Sequence, residues 1–114
     1  MKIVTDTIGL AELNEMAGNM YGNLVKAVVD VRLEIMAVDA ELHADEEAAL
    51  MESGSRQEDL WGINLYPELD RSGPDFIEFD SLINLRPRQN NRSRSVENPE
   101  LREKITAIVN RRVS

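Results

Sequence analysis

Glu41, His43 and Asp45 stand two residues apart in Glu41-Leu42-His43-Ala44-Asp45-Glu46-Glu47, and His43 is the only histidine of the chain. In an extended segment, side chains two apart share one side. Two carboxylates and an imidazole so placed are within reach of one divalent ion, which accepts carboxylate oxygen and imidazole nitrogen. Such an ion activates a bound water for hydrolysis. The three residues are therefore the candidate metal ligands and the candidate catalytic set, with a divalent metal as candidate cofactor. The plainer explanation is that His43 and Asp45 cap a short helix whose first turn is acidic, as the positive end of the helix dipole favours.

A second group lies about forty residues on, in Arg86-Pro87-Arg88-Gln89-Asn90-Asn91-Arg92-Ser93-Arg94-Ser95. Arg86, Arg92 and Arg94, with Asn91 and neighbouring serines, have the donor chemistry to grip a phosphate or carboxylate through guanidinium forks. No aromatic residue is interleaved, so base stacking has no support. The plain alternative is a solvated hydrophilic loop. A third group is the polar face of the expected sheet, with Lys26, Asp30, Asn64, Tyr66, Glu78, Asp80, Asn84 and Arg86. Asn64, Asn84 and Asp80 are poor strand formers. That face is either an anion-binding or acid/base surface or solvent-facing sheet with cross-strand ion pairs. Trp61 reads as core or as the wall of a ligand pocket.

The elements that must position these groups follow from periodicity. Residues 2–5 are short and β-branched, a first strand. Gly9 as N-cap and the stripe Leu10, Leu13, Ala17, Met20 mark a helix that Gly22-Asn23 ends. From Leu24 the period becomes two, giving a strand that turns near Arg32-Leu33 into a second over residues 34–38. A helix is expected over residues 45–52, closed by Gly54. Trp61, Ile63 and Leu65 alternate with Gly62, Asn64 and Tyr66 in a strand that Pro67 stops. The longest alternation covers residues 76–86, with Ile77, Phe79, Ser81, Ile83 and Leu85 on one face. Asn98, Pro99 and Glu100 open a last helix, and Arg111 and Arg112 end it. The expected fold is one α+β domain over residues 1–114, in the order β-α-β-β-α-β-β-α. Its sheet has five mainly antiparallel strands, with helices on one face.

Composition bounds the function. The chain has 114 residues, 42% apolar and 30% charged, with no cysteine, so thiolate nucleophiles and cysteine-ligated metals are excluded. Its apolar runs are far shorter than the ~20 residues of a membrane span, and its start lacks the pattern of a secretory signal. The expectation is a soluble cytoplasmic protein without membrane association. Net charge is −8, yet residues 1–85 hold 5 basic and 18 acidic side chains and residues 86–114 hold 8 and 3. An acidic protein is a poor general binder of nucleic acid. The basic tail either packs on the acidic body, pairs with a second copy, or meets an anion. No Gly-rich phosphate loop precedes a helix and no Gly-x-Ser-x-Gly elbow exists.

The segment Glu41–Glu47, the run Gly54-Ser55-Arg56-Gln57-Glu58-Asp59-Leu60-Trp61-Gly62-Ile63-Asn64-Leu65-Tyr66-Pro67, and Asn91-Arg92-Ser93-Arg94 together resemble a small prokaryotic family of uncharacterised proteins, a domain of unknown function. The resemblance covers most of the chain and implies a free-standing bacterial or archaeal protein, with no reaction attached. Two functions follow from the residues. One is a small binding or interaction module taking an anionic small molecule or a protein partner, with Trp61, Asn64, Arg86, Asn91, Arg92 and Arg94 as its contacts. The other is a small hydrolase, metal-assisted or carboxylate-based, acting on an anionic substrate through His43, Glu41 and Asp45. A homodimer through a sheet edge or face is the remaining expectation about partners.

Overall fold

The computed structural model describes residues 1–114. The strands are β1 (Lys2–Val4), β2 (Val25–Asp30), β3 (Ile35–Val38), β4 (Leu60–Leu65) and β5 (Ile77–Glu78). The helices are α1 (Leu10–Asn19), α2 (His43–Glu52) and α3 (Pro99–Arg112). This is the expected α+β order, and the five strands form one sheet in the order β1-β3-β2-β4-β5, every neighbour antiparallel.

The central hairpin is built by local chemistry. Asp30 ends β2, and its Oδ1 accepts from the N–H groups of Arg32 and Leu33 at 2.8 and 2.9 Å. That carboxylate shapes the turn, and Glu34 completes it at φ 60°. β2 then pairs β3 from Asp30↔Ile35 to Ala27↔Val38.

Helices cover both faces of the sheet, which corrects the expectation of one. Ala27, Val29, Met36, Val38, Trp61, Ile63 and Leu65 point to a large core closed by α1 and α3. Val28, Ala37 and Leu60 point the other way, to a smaller cluster with Leu50 of α2. The reason lies in β2 and β3, where apolar residues occupy both parities, so one covered face would leave Val28 and Ala37 in water. α2 starts at His43 rather than Asp45, its N-cap is Leu42, and no side chain caps it. His43 and Asp45 are therefore not capping residues. α3 starts as expected, with Asn98 Oδ1 accepting from the N–H groups of Glu100 and Leu101.

The strand expected over residues 76–86 is also corrected. Pairing stops after Asn64↔Glu78. The chain leaves the edge, and Ser81 opens a short 3-10 turn over Leu82–Asn84. The Asn84 side chain then takes the place of a strand. Its Oδ1 accepts from Gly62 N–H at 2.8 Å, and its Nδ2 donates to the Gly62 carbonyl at 2.9 Å and the Arg94 carbonyl at 3.0 Å. A glycine is needed opposite, because a Cβ on Gly62 would lie 2.6 Å from Ser81 Cβ and 3.2 Å from His43 Cδ2. The basic tail packs on the acidic body: Arg111 pairs with the Glu34 carboxylate and Arg112 Nε donates to the Glu34 carbonyl. No helix is long and apolar enough to cross a membrane.

Candidate functional site

On the α2 side of the sheet, a depression of about 280 Å³ opens between the start of α2 and the segment that follows β5. Its polar wall is Lys26, His43, Ser81 and Arg94, and its apolar wall is Leu42, Ala44, Leu82 and Ile83. The sheet register fixes the position of Lys26. Lys26 of β2 lies opposite Asn64 of β4, which lies opposite Glu78 of β5. Asn64 Nδ2 donates to Glu78 Oε1 at 2.9 Å, while the buried Asn64 Oδ1 has no partner.

His43 is the centre of this arrangement. It is only 7% exposed, and its Nε2 lies 2.7 Å from the Ile63 carbonyl oxygen. A carbonyl oxygen only accepts, so Nε2 carries the proton and Nδ1 holds the lone pair. Nδ1 has no protein partner and is not sealed from solvent, and His43 lines the depression. Burial pushes the imidazole below its ordinary pKa; the Ile63 carbonyl opposes this, Lys26 and Arg94 add to it, and Asp80 opposes it. Around neutral pH the ring is uncharged.

Two cations flank it. Lys26 Nζ lies over the Tyr21 ring, 5.1 Å from its centroid, and makes no ion pair. Arg94 Nε donates to Asp80 Oδ1 at 2.7 Å, which leaves its two terminal nitrogens without a protein acceptor. One turn along α2 from His43, Glu46 is fully buried. Its Oε2 accepts from Ala40 N–H at 3.2 Å, and burial pushes its carboxyl up to about 9, so it is neutral too. The depression is therefore a partly apolar hollow with two cations, a neutral acceptor nitrogen and the Ser81 hydroxyl.

The residues singled out by sequence separate in space. Glu41 and Asp45 are exposed, whereas His43 is buried. A helix beginning at His43 turns Asp45 by ~200° around the axis, so the same-side geometry of an extended chain is lost. No group of three or more His, Asp or Glu side chains is placed to hold a metal ion. Of the basic loop, Arg94 alone joins His43. Arg86 is absorbed by the fold: it donates to the Ile83 and Leu60 carbonyls, pairs with Glu47 and stacks 4.7 Å from the centroid of the Trp61 ring. Asn91 is buried, and its amide donates to the carbonyls of Asn84, Ser93 and Ser95. Arg92 is exposed, and its backbone N–H donates to Glu97. Asn64 pairs across the sheet with Lys26 and does not itself line the hollow.

Trp61 belongs to the opposite face, 4% exposed in the large core. One edge of it lines a wider cleft of about 740 Å³ with Asn91 and the acids Glu58, Glu97 and Glu100. His43, Trp61 and Arg92 therefore do not share a cleft. The smaller hollow is the better candidate, because it holds the buried imidazole of His43 between Lys26 and Arg94. Ser81, Leu42 and Leu82 were not legible as site residues. Ser81 sat on the apolar face of an expected strand, and only the early end of β5 turns it toward His43.

Comparison with curated proteins and with solved structures returned no match. A family model described as Protein of unknown function (DUF5674) matches residues 2–112. The acidic segment, the β4 run and the Arg94 loop meet around Gly62, Asn84 and His43. The chain belongs to this family of unknown function, DUF5674.

Proposed function

We propose that the protein is a binding module for a small organic anion, held in the hollow between Lys26 and Arg94. The observation that carries this is the unpaired Lys26 ammonium and the free Arg94 fork flanking one hollow, whose walls are half apolar. Charge-assisted hydrogen bonds to an anion are strongest where water is partly excluded. The uncapped start of α2 adds N–H dipoles of the same sign. Titration with acetate and with phosphate, followed by backbone amide shifts, tests it. Shifts are expected at Lys26, residues 42–44 and Arg94. Replacing Lys26 with Gln is expected to weaken binding by roughly tenfold or more, the value of one charged hydrogen bond. Absence of shifts with either anion and with any larger carboxylate, up to high millimolar concentration, rejects the proposal.

One observation favours a second reading, a hydrolase acting on the bound anion. A neutral imidazole with Nε2 fixed by a carbonyl and Nδ1 open is the arrangement of a general base. Hydrolysis of model esters, with and without a divalent metal, lost in His43→Gln, would support it. Turnover equal to that of the variant would end it.

A further inference from the structure

We infer that the anion is the carboxylate of an N-acylated amino acid with an aliphatic side chain, because the hollow sets two cations, one acceptor nitrogen and exposed leucines around a single opening. This rests on the anion-binding proposal above and specifies its ligand.

The wall does not suit a bare anion. His43 Nδ1 presents a lone pair, since Nε2–H is committed to Ile63. An oxygen of an anion placed there meets like charge density, so the ligand must bring a donor to Nδ1 as well as an acceptor to Lys26 and Arg94. The third requirement is apolar. Leu42 and Leu82 are 55% and 69% exposed, and both line the opening together with Ile83. Contact with an aliphatic group would remove their surface from water.

Size and charge narrow the class. A hollow of about 280 Å³ lies at the lower end of ligand pockets, ~300–1,000 Å³. It has room for one amino-acid-sized acid rather than a nucleotide. A free amino acid would bring an ammonium beside Lys26 and Arg94, where it is repelled. Acylation removes that charge and keeps one N–H as donor. Carboxylate, adjacent N–H and branched side chain then match the cations, His43 Nδ1 and the leucines. Asp80, the carboxylate beside Arg94, is already paired with its Nε. The same chemistry occurs in a free acyl amino acid and at the C-terminus of a protein ending in an aliphatic residue.

The test is a set of titrations on the intact chain, read at the His43 imidazole nitrogens and at backbone amides. The probes are acetate, L-leucine, N-acetyl-L-leucine, N-acetyl-L-leucinamide and an acetylated hexapeptide ending in leucine. N-acetyl-L-leucine is expected to bind at least tenfold tighter than acetate, roughly the yield of burying a leucine side chain. L-Leucine and the amide should fall behind N-acetyl-L-leucine by a similar factor. Nδ1 should move as a nitrogen accepting a hydrogen bond, with no proton taken up. Leu82→Ser, at an exposed position, should erase most of the gain over acetate. A hexapeptide tighter than N-acetyl-L-leucine assigns the ligand to protein C-termini, and one equal or weaker assigns it to the free acid. If acetate or L-leucine binds as tightly as N-acetyl-L-leucine, or binding protonates His43, this inference is overturned while the anion-binding proposal stands. If no carboxylate binds, both fall.

Discussion

Asn84 offers the sharpest test of how the hollow is built. Its side chain, fully buried, satisfies three backbone groups: Gly62 N–H, Gly62 C=O and Arg94 C=O, at 2.8 to 3.0 Å. In Asn84→Ala the N–H and C=O of Gly62 lose their partner, while the Arg94 carbonyl keeps the Ser81 N–H at 3.0 Å. Each buried group left unpaired costs ~1–3 kcal/mol. Two such groups, both of Gly62, put the expected loss at ~2–6 kcal/mol. That is a large share of the ~5–15 kcal/mol that holds a domain together. Asn84→Asp separates the contributions: it keeps the acceptor for Gly62 N–H but removes both donors and places a carboxylate at a fully buried position. At neutral pH it should be at least as damaging as alanine, and acid should relieve it. Urea unfolding with a common m-value measures both. Because the Arg94 carbonyl loses one of its two donors, Asn84→Ala should also weaken anion binding under conditions where it remains folded. A loss below ~1 kcal/mol would show that the amide is not the substitute strand described above and would refute the argument.

Gly62→Ala drives a Cβ into Ser81 at 2.6 Å. Overpacking of this kind costs ~1–3 kcal/mol, and Ser81→Gly in the same chain should recover part of it in a double-mutant cycle read by urea midpoints. Glu46, with its carboxyl pushed up to about 9, binds a proton in the folded state that the unfolded chain releases above its ordinary value near 4.5. Stability should therefore fall as pH rises from about 5 toward 9, at up to ~1.4 kcal/mol per pH unit. Glu46→Gln should flatten that fall, and unfolding at three pH values checks it. His43 has the opposite sign. Its pKa is lowered by burial, so the folded state resists protonation and stability is lost as pH drops below the ordinary imidazole value. Being the only histidine, it gives a single imidazole titration by NMR, expected with a midpoint below ~6.5.

Local signals in the chain were enough for most of the architecture. Alternation in residues 24–38, the Asn98-Pro99-Glu100 start of α3 and the turn near Arg32-Leu33 each act over a few residues, and each appears in the fold. The antiparallel character of the sheet could be read from its short connections, but the spatial order β1-β3-β2-β4-β5 came only with the fold. What sequence could not decide were the contests between local preference and partners distant in the chain. Residues 76–86 alternate as a strand, but Asn84, not a continuing strand, claims the hydrogen-bonding groups of Gly62. Arg86, read as a ligand contact, is claimed by Glu47, Leu60 and Trp61. His43 looked like one member of an acidic triplet. A helix start turned Asp45 away from it, and the fold set it instead beside Lys26, Ser81 and Arg94, from three other segments. Periodicity follows from the backbone's own geometry and can be read along the chain. Which polar atom finds which partner depends on surfaces that exist only once both faces of the sheet are covered.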